Sequence, residues 1–144
     1  MTSKFFLAAA LSIGVLFSSC KKEATPAPTT PTATVDANES KNNAIAANSW
    51  TVTSYTENGV ERMQSALNSF SMTYKKEDKN NGNATWALID LQGGAQNITG
   101  KYEIRNNGTE LDMAGDILGF TVSSSSLVIE GNYQGTAIKI TAKK

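Results

Sequence analysis

The chain contains no histidine, and Cys20 is its only cysteine among 144 residues. General acid–base catalysis relies most often on histidine, and a Ser-His-Asp arrangement requires one. A single thiol also excludes intramolecular disulfides and metal sites built from several cysteines. We therefore expect a protein that is not an enzyme and that has no catalytic residue, no metal site and no cofactor.

An excess of either charge is also missing, because 13 basic residues balance 13 acidic ones. Without a basic patch the chain lacks the electrostatic footprint of a nucleic-acid-binding protein, so we expect no nucleic-acid partner. Glu110 and Asp112 share one face of a predicted strand, but it is the face opposite Leu111 and Met113. These carboxylates are therefore expected to be solvated rather than catalytic.

Long hydrophobic runs are limited to the first residues. Lys4 precedes an apolar stretch over residues 5–17, and the small residues Ser18 and Ser19 stand directly before Cys20. A basic start, a short apolar stretch and small residues at the cleavage site are typical of a signal peptide. The stretch is shorter than the roughly 20 residues that a transmembrane helix needs. We predict a signal peptide over residues 1–19, with an ordinary secretory signal or an uncleaved anchor as alternatives.

The residues before Cys20, Phe17-Ser18-Ser19, resemble a bacterial lipobox. This resemblance implies a lipidated Cys20, carrying acyl chains such as palmitate, as the first residue of the mature protein. Two or more chains anchor a protein stably to a membrane. In similar lipoproteins an Asp after the cysteine marks retention at the inner membrane. Lys21 stands there instead, which favours a lipid-anchored protein of the outer membrane and leaves its periplasmic or cell-surface side open.

Proline is confined to one short segment that also lacks aromatic residues. Pro26, Pro28 and Pro31 are the three prolines of the chain, and Thr, Ala and Asn dominate around them. Such a segment cannot bury enough apolar surface to offset its ordering entropy. Residues 20–46 are therefore predicted to be an acylated N-terminus followed by a disordered tether, and residues 47–144 to be the folded domain.

From residue 47 onward, apolar and polar residues alternate as half-buried β-strands require. The predicted inward residues of eight successive strands are Trp50 and Val52; Phe70, Met72 and Tyr74; Trp86 and Leu88; Ile98, Gly100, Tyr102 and Ile104; Leu111 and Met113; Leu118, Phe120 and Val122; Leu127 and Ile129; and Ile138 and Ile140. The connections are too short for parallel crossovers. An all-β fold follows, an antiparallel up-and-down barrel of eight strands, with a two-sheet sandwich as the alternative.

Three local patterns add detail. Asn106-Asn107-Gly108 is typical of a tight turn with positive φ, and Tyr133-Gln134-Gly135 is predicted to turn the seventh strand into the eighth. In the third strand Ile89 and Leu91 break the alternation, which predicts a bulge or a strand covered on both sides. Residues 61–68 contain good helix formers, so this segment is either a short helix capping the barrel or an ordinary packed connection.

Two short motifs carry a family resemblance. Asn48-Ser49-Trp50 resembles the Gly-x-Trp that opens bacterial lipocalin-like lipoproteins, and Tyr102-Glu103-Ile104 followed by Gly108-Thr109-Glu110-Leu111 resembles their later Tyr-x-Ile, turn, Gly-x-x-Leu segment. In lipocalins a basic residue near the end of the chain packs on the tryptophan, and the candidates for that position are Lys139, Lys143 and Lys144. The resemblance implies a lipocalin-like barrel that binds a small hydrophobic molecule in its interior.

The side chains expected to line such an interior are Trp50, Met72, Trp86, Tyr102 and Phe120. An eight-stranded barrel encloses either packed side chains or one small ligand. The first case predicts a binding module for a small hydrophobic ligand lodged among these residues. The alternative is a solid core, in which these side chains only fill the barrel and the loops contact another envelope protein or inhibit an enzyme.

Overall fold

The structure, a computed structural model, describes residues 35–144, which belong to one compact unit. The predicted signal peptide, Cys20 and the first part of the predicted tether lie outside the described residues. The elements are α1 (Ala37–Ala46), β1 (Ser49–Glu57), β2 (Val60–Glu61), β3 (Leu67–Lys76), β4 (Asn81–Asp90), β5 (Ala95–Arg105), a 3-10 turn (Asn106–Gly108), β6 (Glu110–Met113), β7 (Asp116–Val122), β8 (Ser126–Tyr133) and β9 (Thr136–Lys143). Among these residues no helix is both long and apolar enough to span a membrane.

The strands form a closed antiparallel barrel. β3 to β9 pair with their neighbours in chain order, and β1 pairs with both β3 and β9, which closes the sheet. β2 pairs only with the end of β1, as the second arm of a small hairpin. The eight strands β1 and β3 to β9 confirm the predicted up-and-down barrel and exclude the two-sheet sandwich.

The predicted inward residues face the barrel interior. All of them are buried except three half-buried residues of β4 and β5, Leu88, Ile98 and Gly100. Burial of a large apolar side chain contributes about 1.5–3 kcal/mol. A domain without disulfides is therefore held by one continuous core that runs from β1 to β9, and such a core lets it fold independently of residues 1–34.

The break in the alternation of β4 does not reflect a bulge in that strand. β4 and β5 stay in unbroken register, and the extra residue is Asn68 of β3, opposite Ile89 and Asp90. Ile89 is 37% exposed and Leu91 is 51% exposed, so neither is covered. The two apolar residues lie on the outer surface near one end of the barrel.

Both predicted turns are confirmed. Asn106, Asn107 and Gly108 have φ values of 50°, 53° and 79°, and Gln134 and Gly135 have values of 49° and 79°. Asn and Gly tolerate this left-handed region better than other residues do.

Of the two alternatives for residues 61–68, the structure shows the packed connection and not the short capping helix. Glu61 ends β2, Gln64 has a φ of 65°, and Leu67 begins β3. The Glu61 carboxylate accepts hydrogen bonds from the backbone N–H groups of Tyr55 and Met63 and from the Ser54 hydroxyl. These bonds hold the segment against β1, and two helical turns alone would be too short to be stable.

A helix also occupies residues that were predicted to be disordered tether, so that prediction is wrong for Ala37–Ala46. Asp36 caps the helix, because its Oδ1 accepts from the backbone N–H groups of Asn38 and Glu39 at 2.8 and 3.3 Å. Ile45 is completely buried against the barrel. One aliphatic residue and a good cap are enough here, because the barrel supplies the rest of the apolar surface.

The helix closes one end of the barrel, hereafter the closed end, next to the turns at residues 77–80 and Asn106–Gly108. The side chain of Asn42 is fully buried there. Its Nδ2 donates to the carbonyl oxygens of Asp78, Lys79 and Asn81 at 2.9–3.1 Å, and its Oδ1 accepts from the Tyr102 hydroxyl at 2.6 Å. The carbonyl of Asn81 also accepts from the backbone N–H groups of Glu77 and Asp78, so the amide is the partner mainly of the Asp78 and Lys79 carbonyls in this turn.

Gly82 provides the space for that contact. It lies directly across β4 and β5 from Tyr102, and a Cβ at this position would lie 2.9 Å from Tyr102 Cε1. The absence of a side chain lets the Tyr102 ring cross the strand and reach Asn42.

Candidate ligand site at the open end

The five predicted ligand-binding residues all point into the barrel, but they are tightly packed. Trp50, Met72, Trp86, Tyr102 and Phe120 are each exposed by 5% or less. A void large enough for water would leave accessible surface on the side chains around it. These residues therefore pack the core, and the space open to a ligand lies elsewhere.

Trp50 is covered by the helix rather than by a lysine from the end of the chain. Its Nε1 donates to the carbonyl oxygen of Ile45 at 2.9 Å. Lys139 instead forms an ion pair with Glu130 at 3.0 Å on the outer surface. A basic residue from the end of the chain was expected to pack on Trp50, and α1 covers this tryptophan instead.

The end of the barrel opposite α1 is hereafter the open end. Four aromatic rings cross the barrel interior and separate the half at the closed end from the half at the open end. The ring centroids of Tyr55 and Phe70 are 5.5 Å apart, those of Phe70 and Trp86 6.0 Å, and those of Trp86 and Tyr133 5.4 Å. Edge-to-face and tilted contacts of this kind stabilise aromatic clusters beyond their burial. This aromatic layer forms the floor of the open half.

A cavity of about 380 Å³ lies at the open end. This cavity and the side chains that line it are hereafter the mouth. The lining residues are Tyr55, Glu57, Arg62, Ala66, Leu67, Leu88, Gln96 and Ile98. A second cavity of about 180 Å³ adjoins it, since Leu67, Leu88 and Gln96 line both. Half of the residues that line the larger cavity are aliphatic, and its polar groups are concentrated on the side formed by β1 and the segment after β2.

The cavity exists because the strands separate at this end. β1 pairs with β3 only through Ser49–Thr51. Beyond that point β1 pairs with β9 on one side and with the two residues of β2 on the other. The start of β3 therefore has no barrel neighbour along the rest of β1, and this gap opens the mouth.

A bulge in β1 places two polar side chains inside. The register between β1 and β9 shifts between Val52 and Ser54, so that Tyr55 pairs with Ile140 and Glu57 pairs with Ile138. Strict alternation from Trp50 would have placed Ser54 and Thr56 inside instead. Sequence reasoning missed Tyr55 and Glu57 because a bulge leaves no local signal in Thr53.

The polar groups of the mouth form one cluster. Glu57 accepts a hydrogen bond from the Tyr55 hydroxyl at 2.6 Å and another from Arg62 Nε at 3.0 Å. Burial raises the pKa of Tyr55, and the bond to Glu57 raises it further. The phenol therefore stays protonated and continues to donate to the carboxylate across the physiological pH range.

A larger cavity of about 500 Å³ lies on the outer surface of β4, β5 and β6. Two of its lining residues, Glu103 and Asp112, form ion pairs with Arg105 at 2.7 and 2.9 Å. These charges are already paired with one another, and the groove lies outside the barrel rather than in its interior. The mouth is the better candidate site.

Comparisons with protein families and with curated proteins find no match. Among solved structures, a redesigned β-barrel is 12% identical with a TM-score of 0.52, and the match covers 70% of this chain and 95% of that one. A second redesigned barrel, bound to DFHBI, is 11% identical with a TM-score of 0.48 and coverages of 67% and 96%. Lobster apocrustacyanin A1 is 16% identical with a TM-score of 0.47 and coverages of 77% and 69%. At such identities the likeness concerns the fold alone, and that fold is a β-barrel.

Proposed function

We propose that this protein is a non-catalytic binding module that holds a small, largely apolar molecule at the mouth. The observation that carries the proposal is the cavity of about 380 Å³ above the aromatic floor. Small-molecule sites are clefts of roughly 300–1,000 Å³ with mostly apolar walls and a few convergent polar groups. The aliphatic wall of Leu67, Leu88 and Ile98 and the cluster around Glu57 fit that description.

The surroundings of the mouth support the same function. The exposed large apolar side chains of β2, β4, β7 and the turn after β4 are Val60, Ile89, Leu91 and Ile117. All four lie at the open end of the barrel, near the turns that border the mouth. An apolar rim around an apolar cavity eases the entry of a molecule that is poorly soluble in water.

The test is ligand binding by residues 33–144, which hold the complete core, purified without detergent. We expect a bound molecule of reproducible mass in native mass spectrometry and saturable fluorescence of the neutral dye N-phenylnaphthylamine. Ile98→Trp should fill the cavity and remove both signals. Thr121→Trp, at an exposed position on the outer face of β7 and away from the mouth, is the matched control and should retain them. Bare protein without a dye response would contradict the proposal.

We also propose that Cys20 anchors the protein to the outer membrane through its lipid. The support is the lipobox resemblance of Phe17-Ser18-Ser19 before a single cysteine. Cys20→Ser should move the protein out of the membrane fraction and abolish globomycin-sensitive processing. Ser19→Ala keeps a small residue before the cysteine and should leave both unchanged. Equal membrane association of wild type and Cys20→Ser would refute the anchor.

The second candidate function is contact with another envelope protein. The observation in its favour is the packed closed half together with the apolar rim, since a rim of this kind also suits a protein interface. Val60→Ser with Leu91→Ser should then weaken cross-linking to a purified partner protein and leave dye binding intact. Loss of dye binding in the same variant would assign these rim residues to ligand entry instead.

A further inference from the structure

The charges around the mouth are nearly balanced. Of the residues lining its two adjoining cavities, Arg62 is the one cation, while Glu57 and Asp90 are anions. The Asp90 carboxylate already accepts from the backbone N–H groups of Gln92 and Gly94. The site therefore has no excess positive charge with which to attract an anionic ligand.

The hydrogen-bonding groups that the cluster leaves free are donors. Glu57 uses both carboxylate oxygens, one for the Tyr55 hydroxyl and the other for Arg62 Nε. Within residues 35–144 the terminal nitrogens of Arg62 make no hydrogen bond to the protein, and the side chain is 40% exposed. A guanidinium has five N–H donors and no acceptor. The cluster thus offers free donors to a ligand.

A ligand carboxylate at these donors would meet two opposing charges. It would be attracted by Arg62 and repelled by Glu57, whose carboxylate lies 3.0 Å from the same guanidinium. At similar distances these two interactions largely cancel. The cost of taking the carboxylate out of water remains, whereas a neutral carbonyl oxygen pays much less for the same hydrogen bond.

We propose that the mouth selects an electrically neutral apolar molecule with a hydrogen-bond acceptor, such as an ester carbonyl, over a carboxylate of equal chain length. Arg62 donates to that acceptor, and Glu57 is the internal counter-ion that excludes anions. This inference deepens the proposed binding function and rests on it.

The experiment measures methyl decanoate and decanoate binding to residues 33–144 at neutral pH by displacement of N-phenylnaphthylamine. Methyl decanoate should bind more tightly to the wild type. Because an ester is also less hydrated than a carboxylate, the decisive variant is Glu57→Gln, which keeps one amide oxygen to accept from Arg62 Nε, presents an NH2 group that can donate to the Tyr55 hydroxyl oxygen, and removes the charge. It should tighten decanoate by about tenfold and change methyl decanoate by less than about twofold, since only the repulsion is removed.

Two further variants complete the test. Arg62→Met should weaken methyl decanoate, because the donor is lost. Glu130→Gln removes a carboxylate on the outer surface and should leave both affinities unchanged. An equal or tighter affinity of the wild type for decanoate, or an unchanged ratio in Glu57→Gln, would overturn the inference and leave the binding function standing. Failure of both probes and of the dye to bind would overturn both.

Discussion

The two ends of this barrel are built from the same strands but differ in how completely they are filled. At the closed end, α1 covers Trp50, and the Asn42 side chain donates to three backbone carbonyls and accepts from the Tyr102 hydroxyl. At the mouth, Leu88 and Ile98 are half-buried and the polar cluster reaches solvent. The packed closed end therefore supplies stability to the domain, and this stability allows the mouth to remain open.

The largest expected difference between the two ends is in the stability that is lost when an apolar side chain is shortened at each of them. Met72 is fully buried, whereas Leu88 is half-buried at the mouth. Met72→Ala should cost about 2–5 kcal/mol of unfolding free energy, and Leu88→Ala should cost clearly less because no closed cavity is left behind. Urea unfolding of both variants measures the difference. Equal losses would mean that the mouth contributes as much to stability as the closed end.

The next largest effect is expected from the buried amide. Asn42→Ala leaves the Tyr102 hydroxyl and the carbonyls of Asp78 and Lys79 without this partner, which should cost about 1–3 kcal/mol. Asn43→Ala is the matched control on the same helix, because Asn43 only accepts a bond from Lys76 in an exposed position. A loss in thermal unfolding confined to Asn42→Ala is the expected result. Similar behaviour of the two variants would show that the helix is held by apolar contacts alone.

Alkaline pH should destabilise the closed end through its tyrosines. Burial raises the pKa of Tyr74, and burial together with the nearby Glu77 raises the pKa of Tyr102 to about 12. Since the unfolded chain releases these protons near pH 10, the stability they contribute is complete below pH 10 and is lost as the pH rises toward 12. The slope is about 1.4 kcal/mol per pH unit for each shifted tyrosine.

The measurement is the urea midpoint at pH 8, 10 and 11. Tyr102→Phe should flatten the decline above pH 10, whatever its effect on the midpoint at pH 8. An identical midpoint at pH 8 and pH 11 would contradict the assignment of these tyrosines to a dry interior.

The smallest effect is expected at the mouth cluster. The side chains of Arg62 and Glu57 are 40% and 34% exposed, and partly exposed ion pairs contribute roughly 0–1 kcal/mol. Glu57→Gln should therefore change the urea midpoint very little. A large loss of stability would place the cluster among the structural elements of the barrel and weaken its assignment to ligand selection.

The alternation of apolar residues was sufficient to predict the barrel and its core. In β3, β7 and β9 every predicted inward residue is buried, because a side-chain period of two leaves only one register that hides them. The turn residues Asn107, Gly108 and Gly135 were equally informative, since the left-handed backbone restricts the choice of residue.

The mouth could not be predicted in the same way. Tyr55 and Glu57 face inward because of a bulge whose position depends on pairing with β9, and Arg62 reaches Glu57 through a connection with helix-forming composition. The helix α1 was missed because its stability comes from contacts with turns more than 30 residues away. Interactions over such separations are not encoded in a local pattern.

The position of α1 also determines where the rest of the chain meets the barrel. The helix lies across the closed end and begins at Ala37, so residues 1–34 are joined to the domain on that side. A chain held from its N-terminus is thereby held at the end of the barrel opposite the mouth. Attachment through Cys20, as proposed, would then act on one end of the domain while ligand entry uses the other, so that anchoring and ligand loading would not depend on the same residues.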